Sequence, residues 1–104
     1  MIIPNPEIPL FDKKIAIETG AYYMLSEILP FSEIPKVAQN IHAEKPNLSF
    51  HSIKSTANSL GFIRLADYAD RMESLGPDIE KDIIKHASQN ILQLNEESIQ
   101  AAIN

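Results

Sequence analysis

The sequence contains no cysteine, which excludes disulfide scaffolds, thiolate zinc sites and cysteine nucleophiles together. A chain without thiols is also indifferent to redox poise, so this absence says little about compartment. Glycine is nearly as scarce, with only Gly20, Gly61 and Gly76. Three scattered glycines cannot build a phosphate-cradling loop, so the chain is not expected to bind or hydrolyse nucleotide itself. Basic charge is in the minority. Nine Lys and Arg against fourteen Asp and Glu leave a net charge of −5. That argues against a nucleic-acid binder, whose affinity comes largely from neutralising phosphates with a basic stripe. No apolar run approaches the ~20 residues needed to cross a bilayer. Met1 to Leu10 carry three prolines and no basic residue, unlike a secretory leader. The expectation is a cytoplasmic protein with neither nucleic acid nor membrane as partner.

What is present fits one domain over residues 1–104, and the 44% hydrophobic content is ample for a single core. Pro4, Pro6 and Pro9 predict an extended arm over residues 1–11. Beyond it, β-branched alternation is missing and apolar residues fall at three- and four-residue steps, the helical period. Asp12 as N-cap and Gly20 as stop bracket a first short helix over Asp12–Glu18. A second segment, Tyr22–His42, is broken or kinked at Pro30, and Ser32 caps a renewed start that tolerates Pro35.

Pro46 opens a third helix that ends at Gly61, and a fourth runs from near Phe62 to Gly76. Leu65, Ala69, Met72 and Leu75 are its expected inward residues. Gly76-Pro77-Asp78 reads as a stop followed by a new first turn. The fifth helix carries Ile79, Ile83, Ala87, Ile91 and Leu94, and either continues or restarts after Asn95. Short connections between such helices imply antiparallel neighbours. The predicted fold is all-α: an antiparallel up-and-down four-helix bundle with a short extra N-terminal helix across one end.

The third helix carries the chemistry. Phe50, Ile53, Ala57 and Leu60 form one narrow apolar seam. His51, Ser55 and Asn58 fall on another face, roughly 120–180° away. Lys54 lies between the faces, with its ammonium expected to reach toward His51. Ser52, Ser55, Thr56, Ala57, Asn58 and Ser59 are small, so the imidazole stands above a low surface that another protein could approach. A neutral imidazole there is a nucleophile toward an activated phosphoryl group. Lys54 would discourage protonation of the ring and offset charge on the phosphoryl. Taken alone, a surface histidine beside a lysine is ordinary. His42, at a predicted helix end, and His86, which lacks the apron of small residues, receive that ordinary reading.

His51 is set apart by its surroundings: His51-Ser-Ile53-Lys54-Ser55-Thr-Ala57-Asn-Ser-Leu60-Gly61-Phe62-Ile-Arg-Leu65-Ala-Asp-Tyr-Ala69-Asp-Arg-Met72-Glu73. This string resembles the histidine-containing phosphotransfer (HPt) domain family. Its motif is His-x-Leu/Ile-Lys-Gly/Ser, three or four small residues, Leu/Phe-Gly, and a following helix of the form Leu-x-x-x-Cys/Ala-x-x-Met/Leu-Glu. Phe11-Asp12 with Ala16 and Gly20, and the Leu29-Pro30 and Ile34-Pro35 pairs, extend the likeness more weakly.

The resemblance implies that His51 is the phosphorylated residue and Lys54 the supporting lysine, with Gly61 at the turn after the active helix. Ser52, Ser55, Asn58, Phe62 and Arg64 are then the expected partner-facing residues. Ser55 stands where many members have glycine, whose missing side chain lets a receiver domain come close. The implied activity is shuttling a phosphoryl group between receiver-domain aspartates in a His-Asp phosphorelay, as a monomeric carrier without kinase or ATPase activity of its own. Magnesium would come from the partner receiver; no cofactor or metal site of the chain's own is expected. Two alternatives share the resemblance: a chemotaxis-kinase-type phosphoacceptor domain phosphorylated in trans, and a module that binds a receiver without phosphotransfer. A bundle holding a metal or small ligand fits less well, because no histidine has a carboxylate three residues before it.

Overall fold

The structure is a computed structural model that describes residues 2–28, 33–41 and 44–103. Among these residues every regular element is helical. Helix α1 (Lys13–Glu18) starts as its sequence predicts: the Asp12 carboxylate accepts the Ile15 amide at 3.2 Å. Such a cap satisfies one of the amides left without a partner in a first turn. Helix α1 ends at Thr19, whose hydroxyl donates to the Ser59 carbonyl at 2.6 Å and so ties this end to the neighbouring helix. A 3-10 turn (Tyr22–Met24) leads directly into the short α2 (Leu25–Ile28).

Helix α3 (Ile34–Gln39) has Pro35 in its first turn, where a missing N–H costs nothing. Its N-cap position is Glu33, without a side-chain cap bond, rather than the expected Ser32. Pro30, Ser32 and His42 lie outside the described residues. Helix α4 (Pro46–Leu60) has the predicted bounds, and Phe50, Ile53, Ala57 and Leu60 form its buried stripe.

Helix α5 (Ile63–Glu73) stops three residues before Gly76. The exit is tightened by backbone bonds from Leu75 to Met72 and from Gly76 to Glu73, three residues back instead of four. This turns Leu75 outward, 46% exposed, so it is not the core residue its spacing suggested. Helix α6 (Lys81–Ile103) begins later than expected. Pro77 and Asp78 precede it rather than forming its first turn, and Ile79 is drawn onto the core ahead of the helix. From Lys81 it runs unbroken past Asn95.

Helix α4 packs most extensively against α5; α3 lies against both α4 and α6, α5 against α6, and α1 against α4. Phe50, Ile53, Phe62, Leu65, Tyr68, Met72 and Ile91 are fully buried between them. The radius of gyration, 13.0 Å, is that of one compact body of this length. No helix among the described residues is long and apolar enough to cross a membrane.

The N-terminal arm is neither free nor extended throughout. It turns at Asn5–Ile8, where the Ile8 amide donates to the Asn5 carbonyl at 3.2 Å. Arg64 donates from Nε to the Ile8 carbonyl at 2.6 Å and from Nη2 to the Pro6 carbonyl at 3.0 Å. Ile2 and Leu10 pack against the core, and Phe11 meets Phe62 edge to face at 6.2 Å. The arm closes onto the α4–α5 turn through the Asp12 amide, which donates to the Gly61 carbonyl at 2.7 Å.

Candidate functional site

The apolar stripe of α4 fixes which of its residues face outward, and His51 is among them with its side chain 58% exposed. Gly61, with φ +81°, turns the chain so that α5 runs back along α4. That hairpin brings the last turn of α5 to His51. The imidazole Nδ1 lies 3.2 and 3.1 Å from the two carboxylate oxygens of Glu73. One turn further along α4, Lys54 Nζ sits 3.2 Å from Glu73 Oε2 and 3.2 Å from Asp70 Oδ1. Four side chains thus form one continuous line, His51–Glu73–Lys54–Asp70.

This geometry assigns the tautomer of the ring. An ionised carboxylate can only accept, so a neutral imidazole meeting Glu73 carries its proton on Nδ1. The lone pair is then on Nε2. Partial burial pushes the Glu73 carboxyl up, but hydrogen bonds from Lys54 and His51, and the positive charge they bring, outweigh it and leave the group below its ordinary range. The Lys54 ammonium is raised above its usual value by its bonds to Glu73, foremost, and to Asp70. Both directions keep the bridge charged at neutral pH.

Lys54 extends toward His51 as its position on α4 suggested, but the two meet through a shared carboxylate oxygen, Glu73 Oε2, so the charge in contact with the imidazole is an anion. Glu73 matches the closing Glu of the motif but is given no role at the site by it, and Asp70 falls at a position the motif leaves open. A signal for them is nonetheless present: His51 and Glu73 lie eleven residues either side of Phe62, and Lys54 and Asp70 eight. Residues equidistant from the turn of a helical hairpin face each other.

The expected partner-facing residues separate into two groups. Ser52, Ser55 and Asn58 are exposed on the helix that carries His51, and Asn58 lines a groove of about 390 Å³ together with Lys54, Ile63, Ala66, Asp67 and Asp70. Phe62 is completely buried, because it packs between the turn and Phe11, and presents nothing to a partner. Arg64 is half-buried and spends its donors on the arm.

A larger groove, about 500 Å³, opens between α5 and α6 over Ile2, Tyr68, Met72, Leu75, Ile83 and His86. It is apolar and does not include His51. His86 donates from Nδ1 to the Asp82 carbonyl at 2.9 Å, a bond within its own helix. Among the described residues no cluster of three or more His, Asp and Glu could hold a metal ion. Compared with protein-family models, with curated proteins and with solved structures, the chain matches none.

Proposed function

We propose that this protein is a histidine phosphotransfer carrier, in which His51 Nε2 takes a phosphoryl group from the aspartyl phosphate of a receiver domain and passes it on. The observation that carries the reading is that, among the described residues, Nδ1 is the ring nitrogen with a partner: Glu73 holds it at 3.1 Å while the ring stands exposed among small residues. Attack by Nε2 forms a P–N bond as the acyl phosphate P–O bond breaks and the aspartate departs as carboxylate. The ring keeps its proton on Nδ1 and becomes cationic. A carboxylate already hydrogen-bonded there stabilises that charge without reorganising. The imidazole needs no further base, and magnesium at the acyl phosphate belongs to the receiver.

The same reading takes α3, α4, α5 and α6 as an antiparallel up-and-down four-helix bundle, with α1 across the Gly61 end. The ring of contacts α3–α4–α5–α6–α3 supports this topology. It also takes the protein as a cytoplasmic monomer, small enough to visit several receivers in turn.

The test is to mix the protein with a phosphorylated receiver domain and magnesium and to follow acid-labile, base-stable label. Wild type is expected to acquire it and His51→Gln is not. Label that persists in His51→Gln contradicts the assignment. Firm binding to receivers with no transfer favours the reading as a receiver-binding module instead.

A further inference from the structure

Resting on that reading, one residue of the line has no contact with the imidazole and yet bears on it. The Asp70 side chain touches Lys54, through Oδ1 at 3.2 Å, and is 57% exposed. Glu73 by contrast serves two partners, His51 and Lys54. The hairpin sets Asp70 one turn of α5 further from the imidazole than Glu73 is. An ammonium shared between the two carboxylates is drawn along the helices away from His51.

We propose that Asp70 is a positioning residue that restrains phosphorylation, by holding the Lys54 ammonium away from the place where a phosphoryl group on His51 would sit. The resting site thus keeps the Lys54 ammonium shared between two anions. When Nε2 attacks, three phosphoryl oxygens arrive on the edge of the ring away from Glu73 and gain most from a cation that has left its carboxylates. Removing the Asp70 charge leaves Lys54 with one carboxylate to release rather than two as it turns to the phosphoryl, and also removes one repelling anion. Both effects favour the phosphorylated form. The two act at an exposed surface, so screening limits them to about threefold in rate at moderate salt.

The experiment uses the full chain and phosphoramidate, a small donor that needs no receiver. The Nε2 lone pair forms the new P–N bond, the donor's own P–N bond breaks, and ammonia leaves. Phosphorus NMR follows the rate. Asp70→Asn is expected to be phosphorylated about threefold faster than wild type, with the excess shrinking as salt is raised. Asp70→Glu, which restores the charge, is expected to return to the wild-type rate. Asp67→Asn is the control: it removes an equal charge one turn away on α5, from a carboxylate bonded to Arg71 rather than Lys54. It should leave the rate within experimental error of wild type. A second readout is independent of phosphorylation: Lys54 should be acylated faster by an amine-reactive ester in Asp70→Asn.

Wild type labelled on His51, with Asp70→Asn no faster than Asp67→Asn, overturns the role of Asp70 and leaves the carrier reading standing. Wild type that takes no phosphoryl on His51 overturns both. Retained helical circular dichroism in each variant ensures that a change in rate is not loss of fold.

Discussion

Replacing Gly61 with alanine isolates the contact that seats α1 on the α4–α5 turn. Gly61 has a φ of +81°, and an L-residue in that region costs about 1–2 kcal/mol. An added Cβ would also stand 2.5 Å from the Asp12 carbonyl oxygen and 3.3 Å from both the amide nitrogen and Cβ of Ala16. Two of these three atoms are backbone and cannot swing aside as a side chain could. The Asp12 amide is itself bonded to the Gly61 carbonyl at 2.7 Å, so relief of the clash must displace the N-cap of α1. Overpacking of this kind costs about 1–3 kcal/mol. Together the two effects predict a loss of about 2–5 kcal/mol. Gly20 and Gly76 provide the control, since they have φ of +81° and +82° but nothing within 4 Å of an added Cβ. Their alanine variants should lose only the conformational part, about 1–2 kcal/mol. Urea unfolding followed by helical circular dichroism measures all three. A Gly61→Ala variant no less stable than Gly76→Ala refutes the packing of α1 against the turn.

Glu73→Gln keeps the shape of the bridge but removes its charge, so the ring tautomers of His51 even out and the phosphorylation rate drops roughly tenfold, the equivalent of about 1.5 kcal/mol for one charge-assisted hydrogen bond. Nitrogen NMR of the ring reads the first effect and phosphoramidate labelling the second; an unchanged tautomer would contradict the assignment. The lowered Glu73 carboxyl sets a pH dependence. Its contribution to stability is fully present above the ordinary glutamate range and is lost as pH falls through the lowered folded value, so wild type and Glu73→Gln should converge in urea midpoint on acidification. Arg64→Ala removes both bonds to the arm and costs about 2 kcal/mol. Amide exchange over residues 2–8 should accelerate, whereas unchanged protection would mean the arm is held by its apolar contacts and the Asp12–Gly61 bond without help from Arg64. The Ser98 hydroxyl is fully buried on α6 and has no hydrogen-bond partner among the described residues. Ser98→Ala should therefore raise stability by about 1 kcal/mol in thermal unfolding, and a loss of that size would show the hydroxyl to be bonded.

The stretches where one physical rule dominates are legible in the sequence alone. The stripe Phe50, Ile53, Ala57 and Leu60 needs only helical period, and the ends at Pro46 and Gly61 need only the backbone preferences of proline and glycine. Pattern and fold part company where local preference competes with tertiary packing. Leu75 continues the inward spacing of α5, but the helix unwinds by a 3-10 exit before reaching it. Ile79 has the period of α6 and instead reaches the core from the loop ahead of it. Phe62 follows a conspicuous glycine, and spacing alone does not tell an aromatic that anchors a turn from one that greets a partner. The arm is invisible to periodicity altogether, because Arg64 recognises it through backbone carbonyls at Pro6 and Ile8. For the site, His51 and Lys54 stand out in one helix, whereas the roles of Glu73, present in the motif, and of Asp70 emerge only when α5 is folded back about Phe62. A reading confined to single helices sees the imidazole and the cation, but not the carboxylates that divide that cation between them.

Phosphotransfer through His51 turns on one atom, Nε2, and locating the phosphoryl group after transfer from a phosphorylated receiver domain tests it. Phosphorus and ring-nitrogen NMR on the labelled protein distinguish the two ring positions directly. Phosphate on Nε2 of His51, with the proton retained on Nδ1 beside Glu73, is the predicted result. Phosphate on Nδ1, or on any residue other than His51, would contradict it.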